Sequence, residues 1–199
     1  MFVLGLTGSL GMGKSTTARF FAEEGVPVHD ADAAVHELYA GEAVPLIEAA
    51  FPGTTGDGKV DRDKLGRRVL GDEAAIRKLE AIVHPLVRKA EERFLAAAER
   101  SGAKVAILDI PLLFESGGDE RCDAVVVVSA PPDEQRRRAF ERPGMNEEKF
   151  RAILANQMPD AEKRARADFI VDSGQGFEHA HAQVRDILRN VATMPAKRH

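Results

Sequence analysis

The stretch GLTGSLGMGKSTTARFF, residues 5–21, constrains this chain more than any other. Gly8, Gly13, Lys14 and Ser15 satisfy the spacing G-x-x-x-x-G-K-S, with an apolar run before it and a helix-forming run after it. The residue types answer a chemical demand. A chain of phosphates needs several donors converging on it, and glycines let backbone N–H groups approach with no Cβ in the way. A helix starting near Lys14 adds the positive end of its dipole. Lys14 then reaches the β- and γ-phosphates, and the Ser15 hydroxyl ligates Mg²⁺. A glycine cluster that only makes a turn needs neither the lysine nor the flanking strand and helix.

The apolar runs 1–6, 104–110 and 123–130 are continuous rather than alternating, as strands are when helices cover both faces of a sheet. Residues 25–30 and 168–173 are weaker candidates of the same kind. Helical patterns fall at 14–24, 31–50 with a break, 61–101 with breaks, 132–158 and 176–192. The alternation predicts an α/β fold, a P-loop NTPase three-layer α/β/α arrangement with a five-stranded, mostly parallel sheet. The chain reads as one domain with its core at about 1–30, 103–131 and 166–192. A helical insertion occupies about 31–102, and a charged, arginine-rich appendage about 132–165. FPGTTGDGKVDRDKLG (51–66) is a turn-rich approach to the insertion, and the tail MPAKRH is expected to fray.

Composition narrows the classes. The 199 residues are 30% charged with a net charge of −4, which argues against nucleic acid as the main partner. Cys122 is the only cysteine, so no internal disulfide forms and a reducing compartment fits. No apolar run is long enough to span a membrane, and the first residues lack the charged region of a signal peptide. The expectation is a cytoplasmic protein, a monomer or small homo-oligomer, working on small molecules.

A phosphate loop does not say what becomes of the γ-phosphate, since GTPases, motors and small-molecule kinases share it. No N-K-x-D element is present to read guanine. A kinase needs a carboxylate for the acceptor hydroxyl and cations over the transferring group. In VHDADAAVHEL (28–38), Asp30 and Asp32 stand two apart, so an extended backbone would point both to one side; either also suits a helix N-cap. Asp109 closes the run VAILD, where a carboxylate can hold Mg²⁺ through water or simply cap a turn before Pro111. In a helix, Gln135, Arg138 and Arg142 share one face that can close over phosphates or merely be solvated. His84 reads as the residue before a helix-starting Pro85, His36 as a neighbour of Asp32, and Cys122 as core.

Seven segments in order, LTGSLGMGKST, HDADAAVHEL, DGKVDRDKLGRRV, LEAIVHPLV, LDIPLLFE, CDAVVVVSAPPDEQRRRAFER and RADFIVDSG, resemble the dephospho-coenzyme A kinases from about residue 2 to residue 190. The resemblance implies transfer of the ATP γ-phosphoryl group to the ribose 3′-hydroxyl of dephospho-CoA, with a helical acceptor-binding region and an arginine-bearing lid. It implies that Gly8, Gly11, Met12, Gly13, Lys14, Ser15 and Thr16 cradle ATP, with Arg138, Arg142 and Gly174 completing its site. Lys14, Asp32 and Arg138 are the implied catalytic groups, Asp32 as the candidate base. Asp32, His84, Asp109 and Leu112 are implied on the acceptor side, and Ser15 and Asp109 at Mg²⁺. The chain departs from the family at Pro143, where an acidic residue is usual, at Ala152, where many relatives carry arginine, and at Ser173, where asparagine is commoner. The residues alone also admit a kinase of another acceptor, or a nucleotide-binding regulator that transfers nothing.

Overall fold

A computed structural model describes residues 1–197. All five expected sheet strands form: β1 (Phe2–Thr7), β2 (Val28–Asp30), β5 (Val105–Asp109), β6 (Ala124–Ser129) and β7 (Phe169–Asp172). Their order is β2-β5-β1-β6-β7, with β1 parallel to β5 and β6, and β6 parallel to β7. The chain therefore runs from the central strand outward on one side and returns to build the other. That reversal beside β1 opens a crevice at the carboxyl ends of the strands.

Continuous apolar sequence is explained by burial on both faces, and every residue of β1 and β6 is buried. Phe2, Leu4 and Leu6 of β1 and Ala124, Val126 and Val128 of β6 join one core. Phe20 and Phe21 of α1 (Lys14–Glu23) and Ala180, Val184, Ile187 and Val191 of α9 (Phe177–Val191) complete it. Cys122 is buried, as its apolar surroundings predict.

The described chain divides into two compact units, one comprising Met1–His29 and everything described from Ala98 onward, the other Asp30–Ala97. The second has its own core of Leu38, Ala43, Ile47, Phe51, Val60, Leu65, Val69 and Val83. It is built from α2 (Ala31–Leu38), α3 (Val44–Ala50), a hairpin of β3 (Thr55–Gly56) and β4 (Lys59–Val60), α4 (Arg62–Val69) and most of α5 (Glu73–Arg100). The hairpin lies where only turns were expected. Asp57 and Gly58 have φ of 50° and 74°, the positive pair that a two-residue hairpin turn needs.

Two other expectations are corrected. Pro85 does not start a helix, because α5 runs straight through it. The lost N–H costs the Ala81 carbonyl its helical partner. Buried Val83 and the packed Leu79, Ile82, Leu86 and Val87 hold the helix together across that gap. The stretch 132–158 is not one helix but α6 (Pro132–Phe140) and α7 (Glu147–Ala155), followed by α8 (Asp160–Arg166). Gly144, at φ 72°, breaks it, and Asn146 then caps α7 by accepting from the Lys149 N–H at 2.9 Å. Near the tail, Lys197 is held rather than frayed: its N–H donates to Asp123 Oδ1 and its ammonium to the Cys122 carbonyl. Arg198 and His199, also expected to fray, lie outside the described residues. Among the described residues no helix is long and apolar enough to cross a membrane.

Candidate active site

The glycine-rich turn joins β1 to α1 at the mouth of the crevice. Gly13 precedes the helix in left-handed conformation, φ 90°, and the helix starts at Lys14. The amides of Lys14, Ser15 and Thr16 open the helix and lack intrahelical acceptors. Ser15 is exposed and Thr16 half-buried at that end. Gly8 lies against the sheet, where a Cβ would stand 2.8 Å from the Val128 carbonyl oxygen. At Gly11, φ is 79° and a Cβ would stand 2.4 Å from the Gln135 carbonyl oxygen, so no side chain fits. Met12 is buried, and its sulfur accepts from the Ala130 N–H at 3.1 Å.

Lys14 Nζ lies 2.5 Å from Oδ1 of Asp109, which is 3% exposed at the end of β5. Strand register brings this about: Asp109 pairs with Leu6, one residue before the end of β1. Beside it, the Thr7 hydroxyl and the fully buried Lys163 ammonium both donate to the Pro111 carbonyl, at 3.0 and 3.4 Å. Lys163 also meets Glu115 at 3.0 Å. Burial works to raise the Glu115 carboxyl, but the Met158 N–H and the Lys163 ammonium outweigh it and hold it below its usual range.

Arg138 leans toward the loop. Its Nη1 donates to the Ser173 hydroxyl at 2.8 Å and its Nη2 to the Ser173 carbonyl at 2.9 Å. The Ser173 hydroxyl in turn donates to the Met12 carbonyl at 2.7 Å. Glu134 braces the guanidinium at 2.7 Å. The Glu134 carboxyl is held down at about 2, first by its hydrogen bond from Arg137 and also by the charge of Arg138, so it stays ionised. These groups line a cavity of about 440 Å³ together with Gly13, Thr16, Gly174 and Phe177. Asp172 accepts from the Gln175 amide and the Gly174 N–H, which keep that carboxyl low.

The first unit thus gathers Gly8, Gly11, Met12, Gly13, Lys14, Ser15, Thr16, Asp109, Arg138 and Gly174. Arg142 is exposed two residues past the end of α6, so the shared helix face stops at Gln135 and Arg138. Leu112 is 42% exposed. Asp32 and His84 belong to the second unit. There the chain turns helical at Ala31, so the two aspartates do not share an extended strand. Asp30 caps α2 by accepting from the Ala33 N–H at 3.0 Å, and Asp32 stands exposed in the first turn. His84 is exposed on α5 in a shallow groove with Pro85, Arg88 and Lys89.

Sequence reasoning missed two contributors. Gln157 reaches the loop from beyond α7, and no local pattern marks it. Phe177 continues the stripe Ala180, Val184, Ile187, Val191 at core spacing, yet it is 70% exposed at the cavity rim. A large aromatic left exposed against a cavity was a signal that periodicity hides.

A G-x-x-x-x-G-K-S loop at the head of a parallel sheet, with its lysine on a strand-end carboxylate, is the arrangement of the P-loop nucleotide-binding proteins. The dephospho-CoA kinase family model matches residues 2–178, and the chain belongs to that family. It is 64% identical over 188 residues to a dephospho-CoA kinase from Mesorhizobium japonicum, covering 94% of this chain and 95% of that one. It is 61% identical over 198 residues to one from Rhodopseudomonas palustris, covering 100% of both. Its fold superposes on the crystal structure of TT1252 from Thermus thermophilus with a TM-score of 0.86 and 33% identity, covering 97% of this chain and 98% of that one.

Proposed function

We infer that the protein transfers the γ-phosphoryl group of ATP to the ribose 3′-hydroxyl of dephospho-CoA, releasing CoA and ADP. The observation that carries this reading is the Lys14 and Asp109 pair at the head of the loop, in a chain that shares its whole length with named dephospho-CoA kinases. The nucleoside of ATP occupies the cavity between Arg138, Gly174 and Phe177, with the base against the exposed ring. Its phosphates run along the loop from Gly8 to Thr16. Lys14 neutralises charge on the β- and γ-oxygens, and Arg138 and Arg142 neutralise what develops as the group leaves.

A hydroxyl and a carboxylate are hard oxygen donors of the kind Mg²⁺ takes, and Ser15 and Asp109 supply them. Mg²⁺ bound there neutralises phosphate charge. In the second unit, Asp32 receives or orients the acceptor hydroxyl's proton, and its exposure leaves both carboxylate oxygens available. Because the transferring group is loosely bonded at the transition state, Asp32 contributes through orientation as much as basicity. His84 and Leu112 contact the acceptor, the segment 31–102 carries it, and 132–165 acts as the lid.

The test is ADP release by purified protein with Mg²⁺-ATP, with and without dephospho-CoA, with the product weighed for one added phosphate. Acceptor-dependent release yielding CoA supports the assignment. ATP binding without such release rejects it in favour of another acceptor or a regulator.

A further inference from the structure

Leu10 lies in the middle of the phosphate loop, and glutamines hold both of its backbone polar groups. Gln157 Oε1 accepts from the Leu10 N–H at 3.1 Å, and Gln135 Nε2 donates to the Leu10 carbonyl at 2.9 Å. A backbone N–H only donates and a carbonyl only accepts, so the direction of each amide is fixed by its partner. The next residue is Gly11, pressed against the Gln135 carbonyl at positive φ. Gln135 is 8% exposed, and a buried amide is costly unless bonded. Gln157 comes from a braced segment, because the neighbouring Met158 N–H donates to Glu115 at 2.7 Å and Glu115 meets buried Lys163.

We propose that Gln135 and Gln157 are positioning residues that set the curvature of the phosphate loop, and through it the aim of its amides at the transferring phosphate. The proposal rests on the phosphoryl-transfer reading above. Neither side chain needs to touch nucleotide for this role. Gln135 acts as a donor and Gln157 as an acceptor, and the two roles respond oppositely to the same substitution.

The experiment compares Gln157→Glu, Gln157→Met, Gln135→Glu and Gln135→Met in steady-state kinetics. A glutamate at 157 still accepts from the Leu10 N–H. A glutamate at 135 sets a carboxylate against the Leu10 carbonyl and cannot donate until protonated. Gln135 is buried and Gln157 half-buried, so desolvation of the added charge enters the difference between the glutamates. The methionine variants add no charge and read the loss of each hydrogen bond by itself. Gln157→Glu is expected to exceed Gln135→Glu in kcat/KM for ATP by about tenfold, the scale of one buried group left unbonded. Gln157→Met is expected to fall below Gln157→Glu. KM for dephospho-CoA is expected to stay within about twofold throughout, since a loop held wrongly affects nucleotide use. Facing an acceptor raises the Gln135→Glu carboxyl, so its activity relative to wild type climbs as pH is lowered from about 8 to about 6. Gln157→Glu shows no such recovery.

Equal kcat/KM for the two glutamates, or Gln157→Met matching Gln157→Glu, overturns the proposal. Melting temperatures establish that each variant is folded, and if the 135 variants are not, the 157 pair decides alone. If wild-type protein turns over no dephospho-CoA, the reading of the reaction fails instead, and ATP dissociation constants of the same variants still test the glutamines.

Discussion

The two compact units hold their candidate groups differently. In the unit built on the sheet, candidate groups hold one another: Lys14 rests on Asp109, Arg138 on Glu134 and Ser173, and Ser173 on Met12. In the unit spanning 30–97, Asp32 and His84 stand exposed, and the buried contacts belong to an apolar core beneath them. The difference teaches which half of a kinase site can be finished in advance. A phosphate chain is the same in every nucleotide, so backbone amides and a fixed lysine can be preorganised for it. On the proposed assignment, the acceptor hydroxyl would meet Asp32 on the first turn of a helix held in place by the Asp30 cap.

The largest expected effect comes from the preorganised side. Lys14→Ala is expected to lower kcat by about 10³-fold or more, because it deletes the cation that faces the transferring phosphate. Rapid-quench measurement of acceptor phosphorylation reads this directly, and a loss below tenfold would mean the loop is not the phosphate site. Asp32→Asn is expected to lower kcat by about 10² to 10⁴-fold while the ATP dissociation constant stays within about twofold. Equal losses in both would erase the contrast between the units.

Phe177→Ala sharpens the comparison within the nucleotide unit. It is expected to raise KM for ATP by about tenfold with little change in kcat, the scale of one base–aromatic contact. If KM for dephospho-CoA moved instead, the cavity would belong to the acceptor. The smallest effect concerns acid. The Glu115 carboxyl is lowered in the fold, so its contribution to stability is full above its unfolded value near 4.5 and fades as pH falls through the folded value. Glu115→Gln is therefore expected to flatten the fall of melting temperature below about pH 4.5, and an unchanged acid limb would show that the carboxyl carries no linkage.

Much of this was legible in the chain because it is local. Strands buried on both faces leave continuous apolar runs, and the loop of this chain is written as G-x-x-x-x-G-K-S in consecutive residues. Asp109 was legible as the carboxylate that ends such a run. What was hidden depends on distance in sequence or on a helix stopping. Gln157 meets Leu10 across 147 positions, which no window detects. Arg142 follows the spacing of Arg138, but α6 ends at Phe140 and the spacing loses its meaning. Pro85 reads as a boundary, yet tertiary packing of Val83 and its neighbours carries α5 past it. Phe177 keeps the rhythm of the core and leaves the core all the same.

The ion pair between Lys14 and Asp109 also bears on the order of events at the loop. Each group offsets the other's charge, so the lysine of the loop is held against a carboxylate. On the proposed assignment, the phosphates of ATP would take the ammonium, and Mg²⁺ held by Ser15 and Asp109 would supply the carboxylate with positive charge in its place. Asp109 would then exchange one cation for another. On that assignment, a triphosphate without its metal would leave the carboxylate beside like charge, which would favour the metal complex.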